Sequence, residues 1–176
     1  MNASAKHIVY SIGHSNRTMD DFIAMLLSFD IKNLIDIRAW PGSGKYPQFN
    51  RDNLQMVLAD NGINYIYMKE LGGRRRGLSN SKNNRWNNPS FRAYADYIET
   101  DDFEKAITEL ERIAIEAPTV YMCSEAVWWR CHRSLVSDYL KAKGWTVRHI
   151  MGIGKMKEHT YTSPAIVIGD HVSYAD

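Results

Sequence analysis

Short apolar runs alternate along this chain with longer stretches whose apolar positions recur at helical spacing. Ile8-Val-Tyr-Ser-Ile12, Asn33-Leu-Ile-Asp-Ile-Arg38, Asn64-Tyr-Ile-Tyr-Met68, Pro118-Thr-Val-Tyr-Met122 and Trp145-Thr-Val-Arg-His-Ile150 read as strands. Between them, Thr18 caps a helix carrying Phe22, Met25, Leu26 and Phe29, and a second helix runs from about Asp52 to Asn61, stopped by Gly62. Two more are expected around Phe91 to Thr100 and Asp102 to Ile115, and another over Ser134-Leu-Val-Ser-Asp-Tyr-Leu140. Strands alternating with helices predict an α/β domain with a mainly parallel five-stranded sheet and helices on both faces. Ala165 to Tyr174 adds a small hairpin around Gly169-Asp170.

A chain of 176 residues suits a single domain spanning 1–176, with a loop over 71–90 and a C-terminal extension over 151–176. It is 44% hydrophobic and 24% charged, the balance of a globular protein, and no apolar run approaches the roughly 20 residues of a membrane span. The first seven residues lead into a strand without a signal core, so a cytoplasmic location with no membrane partner is expected. Two cysteines cannot make a disulfide framework and are expected as thiols.

Net charge is only +2, yet six cations and no acid fall between Gly72 and Arg92, which leaves the rest of the chain net negative. Arg74, Arg75, Arg76, Lys82, Arg85 and Arg92 on a Gly- and Asn-rich loop suit phosphate contacts, and Trp86 and Phe91 suit base stacking. A nucleic acid or nucleotide is therefore the expected partner. A solvated basic loop with its Trp packed on the core would show the same composition.

The densest chemistry lies in Cys123-Ser-Glu-Ala-Val-Trp-Trp-Arg-Cys-His-Arg133, between a strand and a helix, where ligands bind in open α/β sheets. A parallel sheet brings further polar groups to that edge: His14, Ser15, Asn16 and Arg17, then Asp36 and Arg38, then Glu70, and finally His149. Glu125 is the candidate acid-base or nucleophilic carboxylate, with Asp36 and His14 in support. Asp36 sits in an apolar strand and is costly to bury unless bonded, so it either orients His14 or Arg38 or serves as a second carboxylate, a pairing that would suit glycosidic cleavage. Arg38, Arg130 and Arg133 would hold phosphate or an oxyanion.

Several chemistries are disfavoured. Cys123 to Arg130 is one residue longer than the C-x5-R loop of cysteine phosphatases, and Ser11-Ile-Gly-His-Ser lacks the GxGxxG of dinucleotide binders. No cofactor is therefore expected. His14, Glu125, Cys131 and His132 have the side chains of a transition-metal site but not the spacing of a zinc motif, so a metal remains an alternative.

Six spaced motifs resemble the bacterial and archaeal family catalogued as domain of unknown function 488: Ser11-Ile-Gly-His-Ser-Asn, Asp36-Ile-Arg, Pro47-Gln-Phe-Asn50, Glu70-Leu-Gly-Gly-Arg74, Phe91-Arg-Ala-Tyr-Ala-Asp-Tyr97, and Cys123-Ser-Glu with Cys131-His-Arg133. The resemblance runs from about Ile8 to Ile150 and implies where the site lies, not its chemistry. Relatives often carry Ala at the position of Ser124 and Arg near Gly44, and some are labelled as DNA repair proteins. The resulting expectation is an enzyme acting on nucleic acid or a nucleotide, with DNA repair as a context carried by resemblance alone. The alternatives are a non-catalytic nucleic-acid or nucleotide binding module, and a thiol or metal sensor built on Cys123, Cys131, His132 and His14.

Overall fold

The computed structural model describes residues 6–42 and 44–176. Eight strands and five α-helices follow in the order β1 (Ile8–Gly13), α1 (Met19–Leu27), β2 (Asn33–Asp36), α2 (Arg51–Asp60), β3 (Asn64–Tyr67), α3 (Pro89–Ile98), α4 (Asp101–Glu116), β4 (Thr119–Cys123), α5 (Arg133–Ala142), β5 (Thr146–Gly152), β6 (Lys155–Glu158), β7 (Ile166–Ile168) and β8 (His171–Ser173). The main sheet has the order β3-β2-β4-β1-β5-β6. Its first five members are parallel, and β6 adds an antiparallel edge to β5. The expected hairpin forms from β7 and β8, with Gly169 at φ +63° in its turn.

Alternation along the strands divides the core between the two sheet faces. Val9, Ile35, Tyr121 and Val147 pack with α3, α4 and α5, whereas Ile12, Leu34, Val120 and Met122 pack with α1 and α2. Helix α4 shows why the sequence folds this way locally. Phe103, Ala106, Ile107, Leu110, Ile113 and Ala114 make one buried stripe, the Thr100 hydroxyl accepts from the Phe103 N–H, and Asp101, Asp102 and Glu104 sit at the positive end of the helix dipole. Helix α3 begins at Pro89, earlier than the apolar periodicity suggests, because the Asn88 side chain accepts from the Ser90 and Phe91 N–H groups and Pro89 fits a first helical position.

The sheet has one strand more than the periodicity predicts. In β6 all four residues, Lys155-Met-Lys-Glu158, are exposed, so it carries no apolar alternation and is held by backbone pairing to β5 through the Gly152 to Gly154 turn. Among the described residues, no helix is long and apolar enough to cross a membrane.

The connections define the functional end. From β1 the chain leaves over the α1/α2 face, and from β4 it leaves over the α5 face, while β1 and β4 are neighbours in the sheet. Their C-terminal ends thus diverge at a topological switch point, where a crevice opens. Pairing continues past both strands, with the His14 N–H donating to the Cys123 carbonyl at 3.0 Å and the Ser15 N–H to Ser124 at 2.9 Å.

Candidate functional site

A pocket of about 840 Å³ occupies that crevice, lined by the loops after β1, β2, β3 and β4. Its floor is crowded. Gly13 permits this, because a Cβ there would lie 1.6 Å from the Glu125 carbonyl oxygen and 2.9 Å from an Arg133 nitrogen. Ser15, on the rim, holds the left-handed backbone with φ 49°, an uncommon conformation for a residue with a side chain.

The deepest layer is a buried ion pair. Arg38 donates from Nε and Nη2 to the two oxygens of Asp36, at 2.9 and 2.8 Å, and the Tyr65 hydroxyl donates to the same carboxylate at 2.6 Å. Asp36 is thereby fully engaged, and it fixes Arg38 rather than facing the cavity. The remaining arm of Arg38, Nη1, lies 3.4 Å from His14 Nε2, and His14 Nδ1 lies 2.9 Å from the Ser15 carbonyl. A neutral imidazole protonated at Nδ1 satisfies both contacts. Burial, with Arg38 and Arg133 nearby, lowers the His14 pKa to about 4, so the ring is neutral at pH 7. It also stacks on Phe49 at 4.4 Å. Across the pocket, His132 donates from Nε2 to the Ile37 carbonyl at 3.0 Å, and burial holds its pKa near 4 as well.

The two thiols meet on the same floor, with Sγ atoms 3.0 Å apart. Both are buried and both line the pocket. Burial pushes the Cys123 thiol well up. Burial acts on Cys131 in the same direction, but a hydrogen bond from Cys123, the charge of Arg133 and its N–H, 3.4 Å from Sγ, outweigh it and bring that thiol down to about 7.

Arg133 sits beneath both sulfurs, 1% exposed. It donates from Nη2 to the Glu125 carbonyl at 2.7 Å and from Nη1 to Ser11 Oγ at 3.2 Å, while its Nε finds no partner among the described residues. No carboxylate among the described residues pairs with it directly. Instead a buried chain leads away. Ser11 Oγ contacts His149 Nδ1, His149 Nε2 lies 2.9 Å from His159 Nδ1, and His159 Nε2 lies 2.8 Å from Asp138. One assignment satisfies every member: Arg133 donates to Ser11, Ser11 to His149, His149 to His159 and His159 to Asp138. Asp138 also accepts from the Thr162 N–H, the Thr162 hydroxyl and the Tyr174 hydroxyl. Trp128 stacks flat on His149 at 4.6 Å and closes this layer.

Of the residues expected from sequence, the pocket brings together His14, Ser15, Arg38, Arg74, Cys123, Glu125, Arg130, Cys131 and His132. Glu125 is its one lining carboxylate among the described residues; the side chain is exposed and takes no hydrogen bond or ion pair among them. Asn16 is exposed beside Ser15, and Arg17 donates back to the Gly13 carbonyl. Glu70 is exposed outside the lining, and its backbone carbonyl ties down Arg75 and Tyr97. His149 does not reach the cavity, because β5 runs three residues beyond it and the ring turns into the layer under α5.

The basic loop also differs from expectation. Arg75 is folded onto the Lys69, Glu70 and Gly72 carbonyls and over the Tyr97 ring, Arg85 onto the Pro164 carbonyl and Asp176, and Arg92 onto the Trp86 carbonyl. Trp86 is partly buried against Phe91 and Tyr174, with its indole N–H buried. Among the described residues, Arg74, Arg76 and Lys82 take no hydrogen bond or ion pair, and Arg74 lies over the exposed Trp40 ring. The loop's order comes from Asp96, a residue the sequence reading passes over. Its buried carboxylate accepts from the Leu78 N–H, the Ser81 hydroxyl and the Asn83 amide. The visible signal is an acid on the apolar face of Phe91-Arg-Ala-Tyr-Ala-Asp-Tyr97. The metal alternative finds no group of three or more His, Cys, Asp or Glu side chains able to hold an ion among the described residues.

The family profile described as "Domain of unknown function DUF488" matches residues 18–140. No curated protein and no solved structure matches the chain. The match covers well over half of the sequence, and the chain belongs to this family. The family description names no activity and gives no support to a role in DNA repair.

Proposed function

We propose that this member of the DUF488 family is an enzyme that takes the phosphate-bearing part of a nucleotide, or of a nucleic-acid end, into the pocket at the β1/β4 switch point. The observation that carries the reading is a pair of guanidiniums without an ion pair among the described residues, Arg74 stacked on Trp40 and Arg130, delivered by different loops to one pocket whose lining holds a single described carboxylate, Glu125. Planar guanidiniums suit bidentate contact with phosphate oxygens. The exposed Trp40 ring, with Tyr46 and Phe91 in the same lining, supplies surface for a base. Glu125, without a hydrogen bond or ion pair among the described residues, serves as the acid-base group, while burial, aided by the charge of Arg38, keeps His14 neutral.

A pocket-sized ligand fits better than a long duplex. Three of the loop arginines, Arg75, Arg85 and Arg92, are spent on backbone carbonyls and do not extend a basic track over the surface. Fluorescent mononucleotides, single- and double-stranded DNA and RNA, titrated across salt, test the reading. The expected result is salt-dependent nucleotide binding weakened at least about tenfold in both Arg74→Ala and Arg130→Ala, a loss of about 1.4 kcal/mol for each guanidinium. Glu125→Gln should retain binding and lose turnover. Absence of binding to any phosphate-bearing ligand would overturn the proposal, and binding without product in the wild type would leave a binding module.

A further inference from the structure

The pocket floor holds a second chemistry that needs no phosphate ligand. Two sulfurs 3.0 Å apart, joined by a segment of only seven intervening residues, both border the cavity, and a buried guanidinium without a direct carboxylate partner among the described residues lies under them. Cys131 also sits two residues ahead of the ten-residue helix α5, near the positive end of its dipole. We propose that Cys131 and Cys123 form a reversible dithiol–disulfide couple, in which Cys131 reacts with a hydroperoxide that enters the pocket and Cys123 resolves the product.

The steps balance. The Cys131 thiolate attacks the terminal oxygen of hydrogen peroxide; the O–O bond breaks, an S–O bond forms, and the departing hydroxide takes a proton and leaves as water. Cys131 is then a sulfenic acid, oxidised by two electrons. The Cys123 sulfur attacks the Cys131 sulfur, forming S–S and expelling hydroxide, which leaves as water with the Cys123 proton. Two thiols and one peroxide give one disulfide and two waters. A dithiol reductant returns both thiols by exchange.

The roles divide by environment. Cys131 faces the Arg133 N–H and charge, which favour the thiolate form and lower its pKa. Cys123 is the more deeply buried sulfur, its charged form is disfavoured, and it waits as the resolving thiol. A disulfide needs the sulfurs to close to about 2.05 Å. That is a movement of roughly 1 Å from the observed contact, within reach of the segment carrying the 3-10 turn Trp128–Arg130.

The test titrates the reduced full-length protein with hydrogen peroxide and reads intact mass, free thiols and peptide maps. The expected result is loss of both thiols at about one equivalent of peroxide, an intramolecular Cys123–Cys131 peptide, and full recovery with a dithiol. In Cys123→Ser, reaction should stop at a Cys131 sulfenic acid trapped by dimedone; in Cys131→Ser, Cys123 should stay reduced. Wild-type thiols that survive excess peroxide, disulfides formed only between molecules, or a dimedone adduct on Cys123 would each overturn the proposal. The wild-type experiment decides the matter even if a variant fails to fold, and it needs no nucleotide.

Discussion

Acid should unfold this protein early, and the buried histidines say by how much. His14 and His132 are held near pKa 4, and His149, buried beside His159 and Arg133, near 2, against 6.5 in the unfolded chain. Below pH 6.5 the unfolded chain binds protons that the folded one refuses, so stability is complete above that pH and falls as pH drops toward the folded pKa values. At about pH 5 each ring costs roughly 2 kcal/mol by linkage, and the three together about 5–6 kcal/mol relative to pH 7. Native domains have about 5–15 kcal/mol in total, so a loss of this size brings the midpoint of acid unfolding to the neighbourhood of pH 5. Urea denaturation from pH 7.5 down to 4.5 measures the slope. His132→Gln, whose amide nitrogen can still donate to the Ile37 carbonyl, should remove about a third of it. A stability that changes by less than about 1 kcal/mol between pH 7 and pH 5 would refute the reasoning.

Three further outcomes are expected. Gly13→Ala drives a methyl into the Glu125 carbonyl and should cost about 3 kcal/mol or prevent folding, read as a shift in denaturant midpoint. Asp96→Ala strips the loop after β3 of its common acceptor and strands the buried Asn83 amide; hydrogen exchange over residues 77–84 should accelerate about tenfold or more while the sheet stays protected. Asp138→Asn replaces a carboxylate that takes bonds from four donors with an amide that offers one oxygen, and should cost about 3–5 kcal/mol, lowering the thermal midpoint and loosening the C-terminal segment through Tyr174.

The fold was legible where burial follows a period. The five parallel strands and the stripes of α1 and α4 could be read directly, because each buries one face and repeats its apolar residues accordingly. The exposed β6 was not, since a strand held by backbone pairing leaves no mark in side-chain hydropathy. The site shows the same division. Residues at strand ends, such as His14 and Cys123, follow from topology alone. Which of them face the cavity does not: His149 and Arg133 turn inward onto His159 and Ser11, and Arg85 and Trp86 are claimed by the C-terminal segment, 79 residues away for the Arg85–Pro164 contact. Asp138 and His159 were legible only as polar residues in otherwise ordinary elements, and their meaning needs the chain that joins them.

That chain explains why a cation can be kept under the pocket at all. A buried guanidinium is costly without a counter-charge, yet a carboxylate placed directly on Arg133 would cancel its field at Cys131. Here the anion is Asp138, set at the far end of a line of three hydrogen-bonding groups, Ser11, His149 and His159, all donating in one direction. Each hydrogen bond is polarised by the next, so Asp138 stabilises the guanidinium without touching it. The near end of Arg133 keeps its positive character, with Nη2 on a backbone carbonyl and Nε unpartnered among the described residues. A carboxylate moved next to Arg133 would screen the charge that lowers the Cys131 pKa. The buried chain thus satisfies Arg133 from a distance and leaves its charge uncancelled beside the two sulfurs, which is the condition that the proposed dithiol couple depends on.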